Sequence, residues 1–438
     1  MSYIPHSEEE VKRILEKLKL KSLRDLFSHI PKELFSEDFN LPDPHSEEEL
    51  RRLFEETCER TEVPLYFIGA GAYDRIIPSV IWQILNRGEF LTPYTPYQAE
   101  ASQGTLQAIF EYQSLICELT GMDVANASMY DGASATAEAV LMARAIRGKG
   151  DTVVLSETVN PLYREVVKTY LKGYKDRVIE VGFTKEGTTD LDKLEKVLKE
   201  NEVHALVVQY PNFFGYIEPL KEIGELSKHY NAPFIVVADP IALALLKPPS
   251  HFGADIVVGE GQQMGVPLSF GGPYVGFFAT KREYVRRMPG RLVGMGEDLE
   301  GKRAFTLVLQ TREQHIRRER ATSNICTNQN LMALANLLYM VLLGKEGLKE
   351  VALQSLSKAY FFKNKLLEKG FEEVFEGRHL WEFPVRHENL PVIYRKLLKE
   401  KVILGLPLDK FYPLEKTTLI AVTEKRTKAE MERVLALL

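Results

Sequence analysis

The segment from Phe234 to Thr280 places the strongest constraint on the fold of this chain. It contains three short apolar runs, FIVVAD, ADIVVGE and VGFFAT, separated by a linker and a glycine-rich turn. Runs of Val, Ile and Phe without polar alternation are typical of strands covered on both faces, as in a mainly parallel sheet. Further runs, TVVLS (152–156), RVIEV (177–181) and ALVVQYP (205–211), alternate with helical segments. This rhythm predicts an α/β fold built on a mainly parallel sheet.

The length of 438 residues predicts more than one domain. Residues 1–60 are predicted to form an N-terminal helical arm, because the capping-box pattern SEEE starts a helix at both 7–10 and 46–49. Residues 61–330 are predicted to form the large domain that contains the parallel sheet. Residues 331–438 are predicted to form a bridging helix and a small C-terminal α/β domain.

Composition argues against several classes of partner and site. The net charge of -5 argues against a nucleic acid or an anionic membrane as partner. The three cysteines lie far apart without CxxC spacing, so neither a disulfide nor a metal site is expected. The start, MSYIPHSEEEVKR, lacks the apolar stretch of a secretory signal, and the near-apolar run 331–343 is shorter than the roughly 18 residues of a membrane span. We therefore expect a soluble cytoplasmic protein with no membrane partner.

Two of the predicted buried strands are followed by polar residues. Asp239 ends the first strand, and the turn Gly261-Gln262-Gln263-Met264 follows the second. This arrangement resembles the cofactor core of fold-type-I enzymes that depend on pyridoxal phosphate (PLP), in which a strand-end aspartate pairs with the pyridinium nitrogen and a later lysine binds PLP covalently. No lysine occurs from Pro248 to Thr280, and Gln262 stands near the place of the lysine. The resemblance implies a PLP-transferase-like large domain with a vestigial site at Asp239 and Gln262 and no catalytic residue.

Two further polar segments are YTPYQAE at 94–100 and ATSNICT at 321–327. Prolines stiffen the first segment, and arginines precede the second. Together with the lysine-free turn, these segments resemble the alpha half (subunit 1) of the two-subunit P-protein of the glycine cleavage system. The resemblance covers the whole chain.

The resemblance implies a subunit of glycine dehydrogenase (aminomethyl-transferring), an oxidoreductase. The complex of that family decarboxylates glycine on PLP and transfers the aminomethyl group to the lipoyl arm of H-protein. The resemblance implies that the beta subunit (subunit 2) holds PLP, that two copies of each subunit assemble into a heterotetramer, and that the isolated chain is inactive.

The resemblance also implies residues that contribute in trans to the cofactor site of the partner: Tyr94, Tyr97, Gln98, Thr322, Ser323 and Asn324. A purely structural role for both loops is the alternative. For residues 1–60, the choice lies between an ordinary helical layer and an arm that wraps the partner subunit.

The sequence Asp131-Gly132-Ala133-Ser134, which starts an alanine-rich helix, also allows two interpretations. The helix amides hold a phosphate, as in PLP enzymes of this class, or a side chain forms a plain N-cap. The missing lysine favours the plain cap. Two other functions stay open: a self-sufficient PLP enzyme that uses another lysine, for instance Lys247, and a scaffold or binding protein of the same fold.

Overall fold

The structure, a computed structural model, describes residues 5–36 and 41–438. The chain divides into two compact units, Met1–Glu62 and Val63–Leu438. The predicted arm, 1–60, includes the stretches 1–4 and 37–40, which lie outside the described residues. The predicted boundary at residue 330 stays a prediction.

Two amphipathic helices dominate the first unit. They are α1 (Glu8–Leu18) and α2 (Glu47–Arg60), and short 3₁₀ helices lie at Leu23–Phe27 and Lys32–Leu34. Both α-helices begin with the capping boxes that the sequence predicts, at Ser7 and Ser46. None of the described residues of this unit is buried. The apolar side chains described in this unit therefore form no buried core of their own.

The second unit contains the remaining elements. Its α-helices are α3 (Ser79–Leu85), α4 (Gly88–Leu91), α5 (Gln103–Thr120), α6 (Gly132–Arg147), α7 (Pro161–Leu171), α8 (Leu191–Glu200), α9 (Leu220–Tyr230), α10 (Gln314–Arg317), α11 (Asn330–Glu368), α12 (Leu390–Lys399) and α13 (Lys428–Leu437). Its strands are β1 (Leu65–Tyr66), β2 (Val124–Ala125), β3 (Thr152–Ser156), β4 (Arg177–Val181), β5 (Val203–Tyr210), β6 (Phe234–Ala238), β7 (Ile256–Glu260), β8 (Gly276–Thr280), β9 (Leu292–Glu297), β10 (Arg303–Val308), β11 (Glu372–Glu373), β12 (Glu382–Arg386), β13 (Val402–Ile403), β14 (Leu406–Pro407) and β15 (Thr417–Ala421). Short 3₁₀ helices lie at Ala242–Ala244, Pro249–Phe252, Ser269–Gly271, Arg282–Arg287, Gln310–Arg312 and Arg318–Arg320.

Seven strands form the central sheet in the order β2-β8-β7-β6-β5-β3-β4. The five strands from β4 to β7 are parallel to one another, whereas β8 lies antiparallel to β7 and β2 antiparallel to β8. Alternate residues of one strand enter different hydrophobic cores: Val236 belongs to the larger core and Val237 to the smaller. Both faces of the sheet are therefore covered, which explains the continuous apolar runs and confirms the predicted α/β fold.

A second sheet of four antiparallel strands, in the order β11-β12-β15-β14, lies in the C-terminal part. Helix α11 precedes it and contains a break at Gly344, where φ is 58°. Among the described residues, α11 is the one helix long and apolar enough to cross a membrane, and 44% of its most apolar window is buried. Ala335 and Tyr339 are fully buried in the larger core, as expected of a core helix, which meets the same criteria.

The basic and polar stretch after the central sheet contains two strands that the sequence does not predict. Strands β9 and β10 form an antiparallel hairpin in which Leu292 lies opposite Val308. Phe305 and Leu307 are buried, two residues apart on one face of β10. Charged residues cluster at the hairpin turn. They make the whole stretch polar on average, so the alternation of apolar side chains does not stand out in the sequence.

Candidate functional site

Two acidic residues meet at the carboxyl edge of the central sheet. Asp239 follows β6 and Glu260 ends β7. The parallel register pairs Val237 with Val258, so both acids lie two residues beyond a matched pair. Open α/β sheets carry their binding sites at this edge. The edge is where the sequence predicts the vestigial PLP site.

The side chain of Asp239 is engaged by its own chain. Its Oδ1 accepts hydrogen bonds from the backbone amides of Ile241 at 2.8 Å and Ala242 at 3.0 Å. Burial raises the pKa of this carboxyl group, and the nearby Arg75 guanidinium opposes the rise. Arg75 is itself committed to a buried ion pair with Glu424, at 2.6 Å. Asp239 therefore caps the following turn. It also lines the cavity described below.

Gln262, the predicted counterpart of the cofactor lysine, is buried and fully hydrogen-bonded. Its Oε1 accepts from the backbone amide of Tyr73 at 2.8 Å, and its Nε2 donates to the carbonyl oxygens of Tyr73 and Val266 at 3.0 and 2.9 Å. From α11, Asn336 donates to the carbonyl oxygens of Gly261 and Met264 and holds the same turn. Gln262 is thus a structural residue that ties the turn to residue 73.

Glu260 fills a cradle of three backbone amides, which we call the amide cup. Its Oε2 accepts from the amide of Gly132 at 2.9 Å, and its Oε1 accepts from the amides of Gln262 at 2.9 Å and Val275 at 3.2 Å. The cup therefore joins the first residue of α6 to the turn after β7 and to the residue before β8. Burial raises the pKa of Glu260 to about 8, against the opposite effect of the three amides.

The start of α6 has a plain side-chain cap. The Asp131 side chain accepts from the amide of Ser134 at 2.7 Å, and the Ser134 hydroxyl accepts from the amide of Asp131 at 3.2 Å. These two residues form a capping box. With Glu260 on Gly132, two of the amides that a bound phosphate needs are already occupied. The plain N-cap interpretation therefore agrees with the geometry.

The cavity beside Asp239 measures about 30 Å³. That volume admits about two water molecules. Its lining includes Tyr73, Asn160, Tyr163 and Gln263 and no lysine among the described residues. Lys247, the alternative lysine, is exposed to solvent and does not line it. The residues of this chain do not fit PLP, because the lysine is absent, the amide cup is filled and the cavity is too small.

Two further polar residues of the cavity lining, Asn160 and Tyr73, are held by contacts within the chain. Asn160 caps α7 by accepting from the amide of Leu162 at 3.0 Å, and it donates to the carbonyl oxygen of Ala70 at 2.9 Å. Tyr73 donates its hydroxyl to Glu382 at 2.7 Å. Burial raises the pKa of Glu382 to about 7. Side chains of the chain itself thus take up the contacts that a ligand would make.

The two predicted rim segments meet each other. The hydroxyl of Tyr94 lies 3.0 Å from the hydroxyl of Thr327. The second segment also contacts the chain just before α6, because the amide of Cys326 donates to Tyr130 at 3.0 Å and Asn328 donates to Ser128 at 2.7 Å. The structure thus places the two segments on one surface, next to the residues that lead into the amide cup. We call residues 94–98 and 322–328 the rim.

Buried charges support this rim from beneath. The guanidinium of Arg291 donates to the Tyr97 hydroxyl at 2.9 Å, and its Nε lies 3.4 Å from a Glu313 carboxylate oxygen. Glu138 of α6 lies buried next to Ser323. Burial raises the pKa of Glu138 to about 7, and a hydrogen bond with Ser323 opposes this rise.

Several predicted rim residues are open to solvent. Tyr94 is 73% exposed and Tyr97 46%, and Gln98, Thr322 and Asn324 are also exposed, whereas Ser323 is partly buried. The trans role of these residues stays a prediction, but their side chains are available to a partner.

The sequence alone does not predict roles for four residues of the site: Glu260, Glu382, Glu138 and Arg291. A signal existed for Glu260, because it ends an apolar strand in the same way as Asp239. Glu382 gave no local signal, since its partner Tyr73 lies 309 positions away.

Comparisons with known proteins identify the family of this chain. The whole chain, residues 1–438, matches the family described as glycine cleavage system P-protein. It is 81% identical over 439 residues to the probable glycine dehydrogenase (decarboxylating) subunit 1 of Aquifex aeolicus (strain VF5), covering 100% of both chains. It is 50% identical over 443 residues to the protein of the same name from Carboxydothermus hydrogenoformans (strain ATCC BAA-161 / DSM 6008 / Z-2901), covering 100% of this chain and 99% of that relative.

A solved structure gives the same result. The chain superposes with a TM-score of 0.90 and 40% identity on the crystal structure of glycine decarboxylase (P-protein) of the glycine cleavage system in inhibitor-bound form, over 100% of this chain and 99% of that one. The name subunit 1 implies that the relatives work with a second subunit. The P-protein family is PLP-dependent. These findings favour neither a scaffold protein nor a self-sufficient PLP enzyme, and the chain belongs to the glycine cleavage system P-protein family.

Proposed function

We propose that this chain is the alpha subunit of a heteromeric glycine decarboxylase whose PLP is held by a second, beta subunit. The observation that carries the proposal is the cofactor fold with no lysine at its site, where Gln262 is fully hydrogen-bonded and the cavity is about 30 Å³. The complex decarboxylates glycine and transfers the aminomethyl group to the lipoyl arm of H-protein. PLP on the beta subunit supplies the electron sink of this reaction.

The contribution of this chain to catalysis lies in the rim formed by residues 94–98 and 322–328. Tyr94 and Tyr97 present exposed rings while Thr327 and Arg291 hold their hydroxyl groups. Side chains that are fixed at one end lose little further freedom when a partner packs against them. Tyrosine is also a residue type enriched at interfaces. These properties suit residues that complete the cofactor site of a neighbouring subunit.

The N-terminal unit supports a second, larger contact with the partner. Helix α1 has an apolar stripe that includes Ile14, 42% exposed, and Leu18, 52% exposed. Helix α2 exposes Leu53 and Phe54 in the same way. Exposed apolar surface of this kind marks interaction sites. We therefore assign residues 1–60 to the subunit interface of a heterotetramer. We also propose a cytoplasmic location, which the three free cysteine thiols support.

The test is reconstitution from separately purified subunits. Glycine-dependent release of CO₂ is measured with lipoylated H-protein for this chain alone, for the PLP-containing beta subunit alone and for the mixture. We expect no turnover from this chain alone and full turnover from the mixture. Decarboxylation by the isolated, full-length chain would contradict the proposal.

A further inference from the structure

The amide cup lies at the amino end of α6, the helix that follows β2, and a helix start of this kind is where PLP enzymes of this fold bind the cofactor phosphate. Backbone amides at a helix start, together with the helix dipole, form an anion site. In this chain, the amides of Gly132, Gln262 and Val275 all point at one carboxyl group, that of Glu260. Three donors on one group are an unusual concentration for a side chain that has no other apparent task.

We propose that Glu260 is a built-in substitute for the cofactor phosphate, and that its carboxyl group closes the PLP pocket of this chain to phosphate-bearing ligands. The carboxyl group is attached to the strand end, so it occupies the cup without a binding step. A free phosphate has to displace it, and Glu260 has no exposed route out, since it is only 8% exposed. Displacement would also leave a buried carboxyl group without its partners, which is costly.

The surroundings of the cup disfavour a phosphate as well. Asp131 adds an acidic group beside the cup, since its charge contributes to the raised pKa of Glu260. The buried cation nearby, Arg75, is paired with Glu424. A phosphate dianion would therefore lie close to the like charge of Asp131, and Arg75 would not be free to neutralise it.

The filled cup also has a structural consequence for the rim. Glu260 holds Gly132, two positions after Tyr130, whose hydroxyl accepts from the amide of Cys326 in the rim loop. The carboxyl group thus fixes the start of α6 from within, in the way that a bound phosphate fixes it in a PLP enzyme. This inference deepens the proposed function, because it explains how a cofactor fold stays rigid without the cofactor.

The experiment uses the full-length chain, purified alone, with inorganic phosphate as the probe and chloride at equal ionic strength as the reference. Thermal unfolding midpoints are compared for the wild type, Glu260→Gln and Glu260→Ala. Glutamine keeps the volume and an acceptor oxygen, whereas alanine empties the cup. We expect no phosphate-specific shift for the wild type or Glu260→Gln, and a rise of about 2 °C for Glu260→Ala at phosphate concentrations about tenfold above Kd.

A matched control is Asp190→Ala, which removes the acidic cap of another helix, α8, where Asp190 accepts from the amide of Lys193. This variant frees a backbone amide at a helix start but creates no empty three-amide cup. We therefore expect no phosphate-specific shift of its unfolding midpoint. If Glu260→Ala does not fold, Glu260→Ser takes its place, since its hydroxyl retains a partner for one amide.

The inference is overturned if phosphate raises the unfolding midpoint of the wild type. It is also overturned if phosphate leaves the midpoint of a folded Glu260→Ala or Glu260→Ser variant unchanged. Neither outcome touches the proposed function, which fails if this chain decarboxylates glycine alone, binds PLP covalently or gives no turnover when mixed with the beta subunit.

Discussion

The carboxyl group of Glu260 lies 2.9 Å from the backbone amide nitrogen of Gly132, the first residue of α6. This contact joins the end of a central strand to the start of the helix on which PLP enzymes of this fold hold a phosphate. It places the carboxyl group that fills the pocket close in sequence to Tyr130, which contacts the rim through Cys326. In the proposed function, the cofactor fold of this chain serves as support and a partner subunit carries out the chemistry.

Glycine at position 132 is required by this contact. An added methyl group would lie 3.0 Å from Cβ of Glu260 and would clash with the Tyr163 hydroxyl. We expect Gly132→Ala to destabilise the chain by about 1–3 kcal/mol. The control is Gly104→Ala in α5, where the added methyl group meets no atom of the described residues within 4 Å, and which should stabilise by up to about 1 kcal/mol. Denaturant unfolding midpoints measure both, and equal midpoints for the two variants would refute the close packing at the cup.

The buried carboxyl group of Glu138 makes stability depend on pH. Burial raises its pKa from 4.5 to about 7 in the folded chain. Between these values the unfolded chain releases the proton and the folded chain keeps it, so the folded state loses stability as the pH rises. Above about pH 7 this loss is complete, on the order of 3 kcal/mol.

Glu138→Gln removes this loss, because its amide stays neutral at every pH. We expect the variant to match the wild type near pH 4.5 and to gain in thermal midpoint relative to it up to about pH 7–8. Glu118→Gln in α5 is the control, because Glu118 is exposed and the substitution removes a carboxylate without changing a buried group. A midpoint difference between Glu138→Gln and the wild type that does not change with pH would show that Glu138 is ionised in the folded chain.

The hydroxyl of Tyr94 connects the two rim segments through Thr327. We expect Tyr94→Phe to leave the stability of this chain within about 0.5 kcal/mol, because the contact is on the surface. The turnover of the reconstituted complex should fall by about tenfold, since a loosened rim misplaces groups at the partner's site. Tyr174→Phe is the control, as its ring lies beneath Arg144 outside the rim. Unchanged turnover in Tyr94→Phe would favour a purely structural loop.

The apolar stripe of α1 tests the proposed subunit interface. Ile14 is exposed, so Ile14→Ser should leave the unfolding midpoint of the isolated chain nearly unchanged. Loss of an apolar side chain at an interface weakens binding by about 1.5–3 kcal/mol, which raises Kd roughly tenfold or more. Titration calorimetry with the beta subunit measures this change. Arg13→Ser on the polar face is the control, and equal affinities for the two variants would exclude α1 from the interface.

Much of the fold follows from local patterns in the sequence. Strands β3 and β4 have the bounds that the apolar runs 152–156 and 177–181 predict, because the side chains of a strand covered on both faces are apolar along its whole length. The hairpin of β9 and β10 was not predicted, since charged residues at its turn mask the alternation of Phe305 and Leu307.

The site was predictable only in part. Asp239 and the lysine-free turn could be located because they follow recognisable strands. The amide cup could not, because its three donors come from positions 132, 262 and 275 and meet only in the folded chain. The same holds for Glu138 beneath Ser323 and for Arg291 behind Tyr97. Every residue except proline has a backbone amide, so the sequence does not show which amides form a site. Such a site is visible only in the structure.

The most direct test of the account is the location of PLP in the purified complex of both subunits. The complex is reduced with borohydride, and the peptide that carries the pyridoxyl group is identified by mass spectrometry. The account predicts that this peptide comes only from the beta subunit, with one PLP for each pair of subunits. A pyridoxyl group on any lysine of this chain would contradict it.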